Sequence, residues 1–270
     1  MLCFPSAKIN LGLSVLSKRP DAYHSIESLL YPIQLVDILE IIENQDRDEF
    51  TLSGLSLEIP IEQNIVLKTL KLLRSHYSFP KVKIHLHKQI PSGAGLGGGS
   101  SDAAHTLLTI NKLFQLAISR KKLKDLASQI GSDCPFFIDS APQYASSRGE
   151  ILEPFELNLK PLKLLLIIPD FSISTEFAYS KIKIEKHIVL PKDALNQPIK
   201  KWRQLLKNDF EISIFAKFPE LNHLKENLYL EGAIYASMSG SGSAIYGLFS
   251  DEIVVDLPIN YQQFWLDFPA

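Results

Sequence analysis

Five of the thirteen glycines in this chain of 270 residues fall within seven positions, in the run Pro91-Ser92-Gly93-Ala94-Gly95-Leu96-Gly97-Gly98-Gly99-Ser100-Ser101. Glycine takes positive φ without steric cost and lets backbone N–H groups approach an anion with no Cβ in the way. The run separates two different periodicities. Before it, Val82, Ile84 and Leu86 alternate with Lys83, His85 and His87, the period of a strand. After it, Ala103, Ala104, Leu107, Leu108 and Phe114 recur as on one face of a helix. Flexible linkers are not bounded in this way. A helix entered from such a loop offers its unpaired N–H groups and the positive end of its dipole to a phosphate.

Which phosphate loop this is follows by elimination. Gly93, Gly95 and Gly98 have the G-x-G-x-x-G spacing of a dinucleotide fingerprint. That fold needs a second parallel strand ending in an acidic residue about 20 residues further on. Here the stretch Ser119 to Ile130, with Leu123, Leu126, Ala127 and a stop at Gly131, has the period of another helix. No G-K-[ST] follows the glycines, which excludes a Walker loop, and no V-A-I-K, H-R-D or D-F-G element accompanies them as in a protein kinase.

What remains, Gly95-Leu96-Gly97-Gly98-Gly99-Ser100-Ser101 before a helix, resembles the central motif of the small-molecule kinases named for galactose, homoserine, mevalonate and phosphomevalonate (GHMP). Two further motifs of that family occur in its order. Residues 6–15, Ser-Ala-Lys-Ile-Asn-Leu-Gly-Leu-Ser-Val, read as a half-buried strand with Ile9, Leu11, Leu13 and Val15 on one face and Lys8, Asn10 and Gly12 on the other. Ser239-Gly240-Ser241-Gly242-Ser243 forms a second glycine-rich turn between two apolar segments. A lone strand lysine is ordinarily a solvated charge and a lone S-G-S-G an ordinary turn. Together and in order they support the family.

Three more segments narrow the resemblance to the GHMP subgroup that acts on a cytidine diphosphate methylerythritol. Arg19-Pro20-Asp21-Ala22-Tyr23-His24 is similar to its D-G-Y-H element, Gly131-Ser132-Asp133-Cys134-Pro135-Phe136-Phe137 to its G-x-D-x-P-x-F segment, and Glu62-Gln63-Asn64-Ile65-Val66 to its D-N-L-[IV] element. The similarity runs from about residue 5 to about residue 250. It departs at Ala22, where the family has glycine, so a positive φ there would force the turn to adjust. The last twenty residues also lack the family's usual amphipathic helix.

The resemblance implies an α+β fold of two domains, an S5-like N-terminal α/β domain (1–156) and a ferredoxin-like C-terminal domain (157–270), with ATP and substrate in the cleft between them. It implies ATP-dependent phosphorylation of the 2-hydroxyl of the methylerythritol moiety, in the non-mevalonate route to isoprenoid precursors. Lys8 and Asp133 are the implied catalytic pair, Asp133 taking the hydroxyl proton. The run Pro91 to Ser101 would cradle the phosphates, with Mg²⁺ bridging their oxygens beside Ser100 or Ser101, and Asn64 would lie at the adenine. Asn10, Tyr23, His24, Thr175, Tyr179, Ser239, Gly240, Ser241 and Gly242 are the implied substrate contacts, Tyr23 and Tyr179 flanking the cytosine and His24 hydrogen-bonding its edge. Read without the resemblance, Asp133 two residues before Pro135 is a helix N-cap. Within the family a homoserine or mevalonate kinase stays open, and beyond it a non-catalytic nucleotide sensor on the same fold; a dinucleotide-dependent oxidoreductase ranks last.

Composition restricts the partners. A net charge of −2 gives no basic surface for nucleic acid. Two cysteines, Cys3 and Cys134, far apart and outside any C-x-x-C, fit a reducing compartment without structural zinc or disulfides. No apolar run approaches the ~20 residues of a membrane span. The first twenty residues show strand alternation rather than a signal or transit peptide, so the chain is expected to be complete and cytoplasmic, a monomer or weak homodimer with small-molecule partners only. His85 and His87 form an H-x-H pair with no third ligand nearby and are expected to be solvated. Residues 181–201, with Pro191 and Pro198 among charges, are expected to be a surface connection.

Overall fold

The computed structural model describes residues 1–56, 60–184, 186–255 and 260–268. Its elements run β1 (Leu2–Cys3), β2 (Ser6–Lys18), β3 (His24–Val36), β4 (Ile38–Asn44), β5 (Glu49–Gly54), α1 (Ile65–His76), β6 (Lys81–Lys88), α2 (Gly98–Leu113), α3 (Arg120–Ile130), α4 (Phe136–Asp139), β7 (Gln143–Ser146) and β8 (Ile151–Pro154). They continue with β9 (Lys163–Ile168), α5 (Thr175–Lys181), α6 (Pro191–Leu195), α7 (Trp202–Leu205), α8 (Phe210–Lys217), α9 (Pro219–Leu230), β10 (Tyr235–Met238), β11 (Ile245–Phe249) and β12 (Gln262–Asp267). Among the described residues no helix is long and apolar enough to cross a membrane.

Two compact units share the chain. One comprises residues 1–7, 35–92 and 97–141, the other residues 8–34, 93–96 and 142–270, so compactness and chain order divide the molecule differently. In the first unit a four-stranded sheet has the order β1-β4-β6-β5, with β5 parallel to β6 and the other pairs antiparallel. The alternation read before the glycine run becomes alternation of burial. Val82, Ile84 and Leu86 of β6 are fully buried with Leu39 and Ile41 of β4, and α1 and α2 contribute Val66, Leu70, Leu73, Ala103, Ala104, Leu107 and Ile110 to that unit's core. Helix α3 starts on Ser119, whose hydroxyl accepts from the Lys122 N–H, and stops at Gly131.

In the second unit the antiparallel sheet β10-β11-β9-β12 has five consecutive buried residues in both β9 and β11, as a strand covered on both faces requires. Leu13 and Val15 of β2 join Leu165, Ile167, Phe210, Ile214, Leu221, Leu228, Met238 and Ile245 in one core. A further sheet, β2-β3-β7-β8, carries the N-terminal motif.

Three expectations change. Strand β2 is buried on both faces over residues 7–15 rather than half-buried, because the polar side chains of its second face are satisfied by one another instead of by water. Residues 181–201 are not merely a surface connection: Pro191 at the first turn of α6 starts a helix whose Pro191, Ala194 and Leu195 are buried. Asp133 is not an N-cap; it lies in the turn before α4, whose capping position is Pro135 and which has no side-chain cap.

Candidate active site

The N-terminal lysine, the front of the glycine run and the C-terminal turn meet inside the second unit. The Nζ of Lys8, a side chain only 4% exposed, donates to Asn10 Oδ1 at 2.5 Å and to the Gly95 carbonyl at 3.0 Å. The same carbonyl accepts from Ser239 Oγ at 2.9 Å, and Ser239 Oγ in turn accepts from the Asn10 N–H at 3.3 Å. Asn10 Nδ2 donates to Ser28 Oγ at 2.8 Å, and Ser28 donates onward to the Gly12 carbonyl at 2.6 Å. A buried ammonium needs such acceptors. Every polar atom of Asn10 is thereby fixed, as its main-chain oxygen also accepts from the Tyr246 hydroxyl at 2.7 Å.

Backbone constraints explain the glycines of this junction. Gly95 has φ +75°, and a Cβ on it would lie 1.9 Å from the Ser239 carbonyl oxygen. Only glycine fits there. Gly97 caps α2 in the left-handed region, whereas Gly98 is its first helical residue, held close against Ile90. The loop thus enters the helix as the sequence predicts, with first-turn N–H groups that have no intrahelical acceptor. Along the run Pro91 and Ser100 are half-buried, Ser92, Gly93 and Gly99 exposed, and Ala94, Leu96 and Ser101 buried. Ser101 Oγ lies 3.4 Å from His105 Nδ1.

At the second turn, Gly240 and Gly242 have positive φ, and Thr175 Oγ1 lies 3.3 Å from Ser241 Oγ. Asn208 holds this turn by donating to the carbonyls of Met238 and Gly240, both at 2.8 Å, and buried Glu211 accepts from Ser237 Oγ and the Met238 N–H. Sequence reasoning passed over both residues. Neither lies in a motif; only their position at the start of an apolar helix points to them.

The aromatic candidates are arranged differently from the expected pair of walls. The His24 ring itself stacks on Tyr179, with centroids 4.7 Å apart and planes 20° from parallel. Tyr23 is 53% exposed, and the Arg148 guanidinium lies 5.1 Å from its ring centre. Burial, and then Lys18, lower the His24 pKa, so the imidazole is neutral at neutral pH. In the turn before it Ala22 adopts the left-handed region, with φ +67°. Asn64 is buried and caps α1 by accepting from the Val66 N–H at 2.9 Å. His85 and His87 are tied to Thr51 and Ser53 of β5, and among the described residues no group of three or more His, Cys, Asp or Glu could hold a metal.

Family models for the GHMP kinases N-terminal domain and the GHMP kinases C-terminal region match residues 64–141 and 192–256. A protein of Parabacteroides distasonis named 4-diphosphocytidyl-2-C-methyl-D-erythritol kinase is 47% identical over 249 residues, 92% of each chain. The chain belongs to the GHMP kinase family. A Bacteroides fragilis protein of the same name is 46% identical over 255 residues, 93% of each chain. The crystal structure of a 4-(cytidine 5'-diphospho)-2C-methyl-D-erythritol kinase superposes on this kinase with a TM-score of 0.80 at 28% identity, over the full length of both. The α+β architecture of this GHMP kinase is therefore the one its motifs predict.

Proposed function

We propose that this kinase transfers the γ-phosphoryl group of ATP to the 2-hydroxyl of 4-diphosphocytidyl-2-C-methyl-D-erythritol, in the non-mevalonate route to isoprenoid precursors. The relatives that bear this name support the reading, and within the structure the observation that carries it is the His24–Tyr179 pair. A neutral imidazole presents one donor and one acceptor, which suits the edge of a cytosine, and an aromatic face beside it suits stacking. Neither a homoserine nor a mevalonate acceptor has a base to read.

Phosphoryl transfer to an alcohol needs charge neutralisation, positioning and an acceptor for the hydroxyl proton. In this reading Asp133 takes the proton and Lys8 stabilises charge on the transferred group, its ammonium aimed by Asn10 and the Gly95 carbonyl. Asn10 and Thr175 meet the methylerythritol hydroxyls, and the turn Ser239 to Gly242 contacts the substrate. The first turn of α2 receives the ATP phosphates, and Asn64 lies at the adenine. Mg²⁺ would come with ATP, and the hydroxyl of Ser100 or Ser101 in the first turn of α2 would be its protein ligand. Bound with ATP, it supplies neutralisation of the phosphate charge. A cytoplasmic location and a monomer or weak homodimer belong to the same reading.

Assaying phosphate transfer from Mg·ATP to a panel of alcohols separates the alternatives. Turnover of the cytidine diphosphate alcohol with homoserine and mevalonate inert supports the reading. Turnover of homoserine or mevalonate instead overturns it.

A further inference from the structure

The segment Asn208-Asp209-Phe210-Glu211, at the start of α8, ties together parts of the second unit that are distant in sequence. Its backbone is fixed to β2: the Leu13 N–H donates to the Lys207 carbonyl at 2.8 Å, and the Asp209 N–H donates to the Leu13 carbonyl at 2.9 Å. Asp209 Oδ2 accepts from the Val15 N–H at 2.6 Å. Asn208 is held between these anchors, buried, with Oδ1 accepting from the Phe210 N–H at 3.0 Å. Both N–H groups of its amide are spent on one turn, on the carbonyls of Met238 and Gly240. Glu211 grips the strand that enters that turn, and the Lys225 ammonium, 2.6 Å from Glu211 Oε2, balances its charge.

The turn needs such a hold. The ladder between β10 and β11 ends at Met238 opposite Ile245, and the glycines beyond it, Gly240 at φ +56° and Gly242 at φ +88°, have no side chain to fix their backbone. One planar amide that donates to two carbonyls two residues apart sets the spacing of those carbonyls, and so the shape of the loop between them. That loop lies against the polar face of β2: Ser239 Oγ accepts from the Asn10 N–H, and a Cβ on Gly240 would come within 3.2 Å of Asn10 Oδ1.

We propose that Asn208 is a positioning residue for the methylerythritol end of the substrate, acting through the turn Ser239 to Gly242. The proposal rests on reading that turn as a substrate contact beside Asn10 and Thr175. Asn208 is spent on the protein itself, so its effect on the reaction passes through the two carbonyls it holds. The ATP phosphates belong to the first turn of α2 in the proposed function, so a loosened Ser239–Gly242 turn acts on the alcohol substrate and not on the nucleotide. A purely structural role has a different signature: it lowers the fraction of folded enzyme, which reduces apparent kcat and leaves both KM values in place.

The test is steady-state kinetics with 4-diphosphocytidyl-2-C-methyl-D-erythritol and Mg·ATP on wild type, Asn208→Asp and Asn208→Ser. Asn208→Asp keeps the shape and the oxygen that accepts from Phe210, but turns an oxygen toward the two carbonyls. Asn208→Ser, the second variant should the first not fold, is too short to reach them. Each is expected to raise KM for the cytidine substrate about tenfold, the scale of one or two lost hydrogen bonds, with KM for ATP unchanged. Unchanged KM values for both substrates, or equal rises in both, overturn the proposal. A measurement on wild type needs no variant: the side-chain amide signals of Asn208 in ¹H–¹⁵N spectra are expected to shift when the cytidine substrate saturates the protein, and unmoved signals overturn the proposal. Failure of wild type to turn over the cytidine substrate overturns the proposed function along with it; turnover with an unmoved substrate KM in a folded variant overturns the role of Asn208 alone.

Discussion

The imidazole of His24, at the first residue of β3, lies flat on the ring of Tyr179 in α5, 4.7 Å between centroids. Tyr179 is itself backed edge-on by Phe210 at 4.9 Å. One face of an aromatic stack is thus built and braced before any ligand arrives, which lowers the ordering cost of binding a base. Tyr179→Ala removes the ring on which His24 lies and is expected to weaken binding of the cytidine substrate by about 1 to 3 kcal/mol, the size of one aromatic stack, and to leave ATP binding unchanged. Tyr179→Phe keeps the ring and is expected to be nearly silent. Equilibrium titration of both ligands on each variant checks this.

Asp133 and Lys8 predict changes in turnover. Asp133→Asn is expected to lower kcat by about 10²-fold or more with ATP affinity nearly constant, since general base catalysis contributes 10²- to 10⁴-fold. Lys8→Met also releases Asn10 Oδ1 and the Gly95 carbonyl, so a larger loss in kcat with some loss of ATP affinity is expected. Steady-state kinetics, with circular dichroism to confirm folding, reads both. Near-normal turnover in folded Asp133→Asn places the base elsewhere.

Two glycines of the run separate packing from phosphate approach. Gly95→Ala drives a Cβ into the Ser239 carbonyl at positive φ and is expected to destabilise by about 2 to 4 kcal/mol. At Gly99 the nearest atom to a new Cβ is 3.8 Å away, in Ile65, so Gly99→Ala is expected to fold as wild type does. Urea denaturation of both proteins distinguishes them.

Ala22 holds a left-handed φ of +67° in the turn that presents Tyr23 and His24. Ala22→Gly is expected to stabilise by about 1 kcal/mol, because removing the Cβ relieves more strain than the added freedom of the unfolded chain costs. A lower denaturation midpoint in this variant means the turn is not strained.

The two glycine motifs were legible because each is local: period 2 into β6, period 3.6 out of the loop into α2, and a turn before β11 all follow from neighbouring residues. The burial of β2 on both faces was not, since it depends on Asn10 meeting Ser28 and Ser239, partners distant in sequence. Asn208 and Glu211 were missed for the same reason. Lys88 left a signal that went unread, a lysine in the buried phase of its own strand. The Tyr23–Tyr179 pair is what the resemblance implies, whereas in the fold the ring that lies on Tyr179 is that of His24.

Selectivity between cytosine and uracil tests the central claim most directly. A site that hydrogen-bonds the cytosine edge through His24 leaves its own polar groups unpaired when the edge is changed, and so discriminates strongly. The measurement is the ratio of kcat/KM for 4-diphosphocytidyl-2-C-methyl-D-erythritol to that for its uridine analogue, in wild type and in His24→Ala. The account predicts a wild-type ratio of about 10² or more that falls toward one in His24→Ala. A wild-type ratio near one, or no turnover of the cytidine compound, contradicts it.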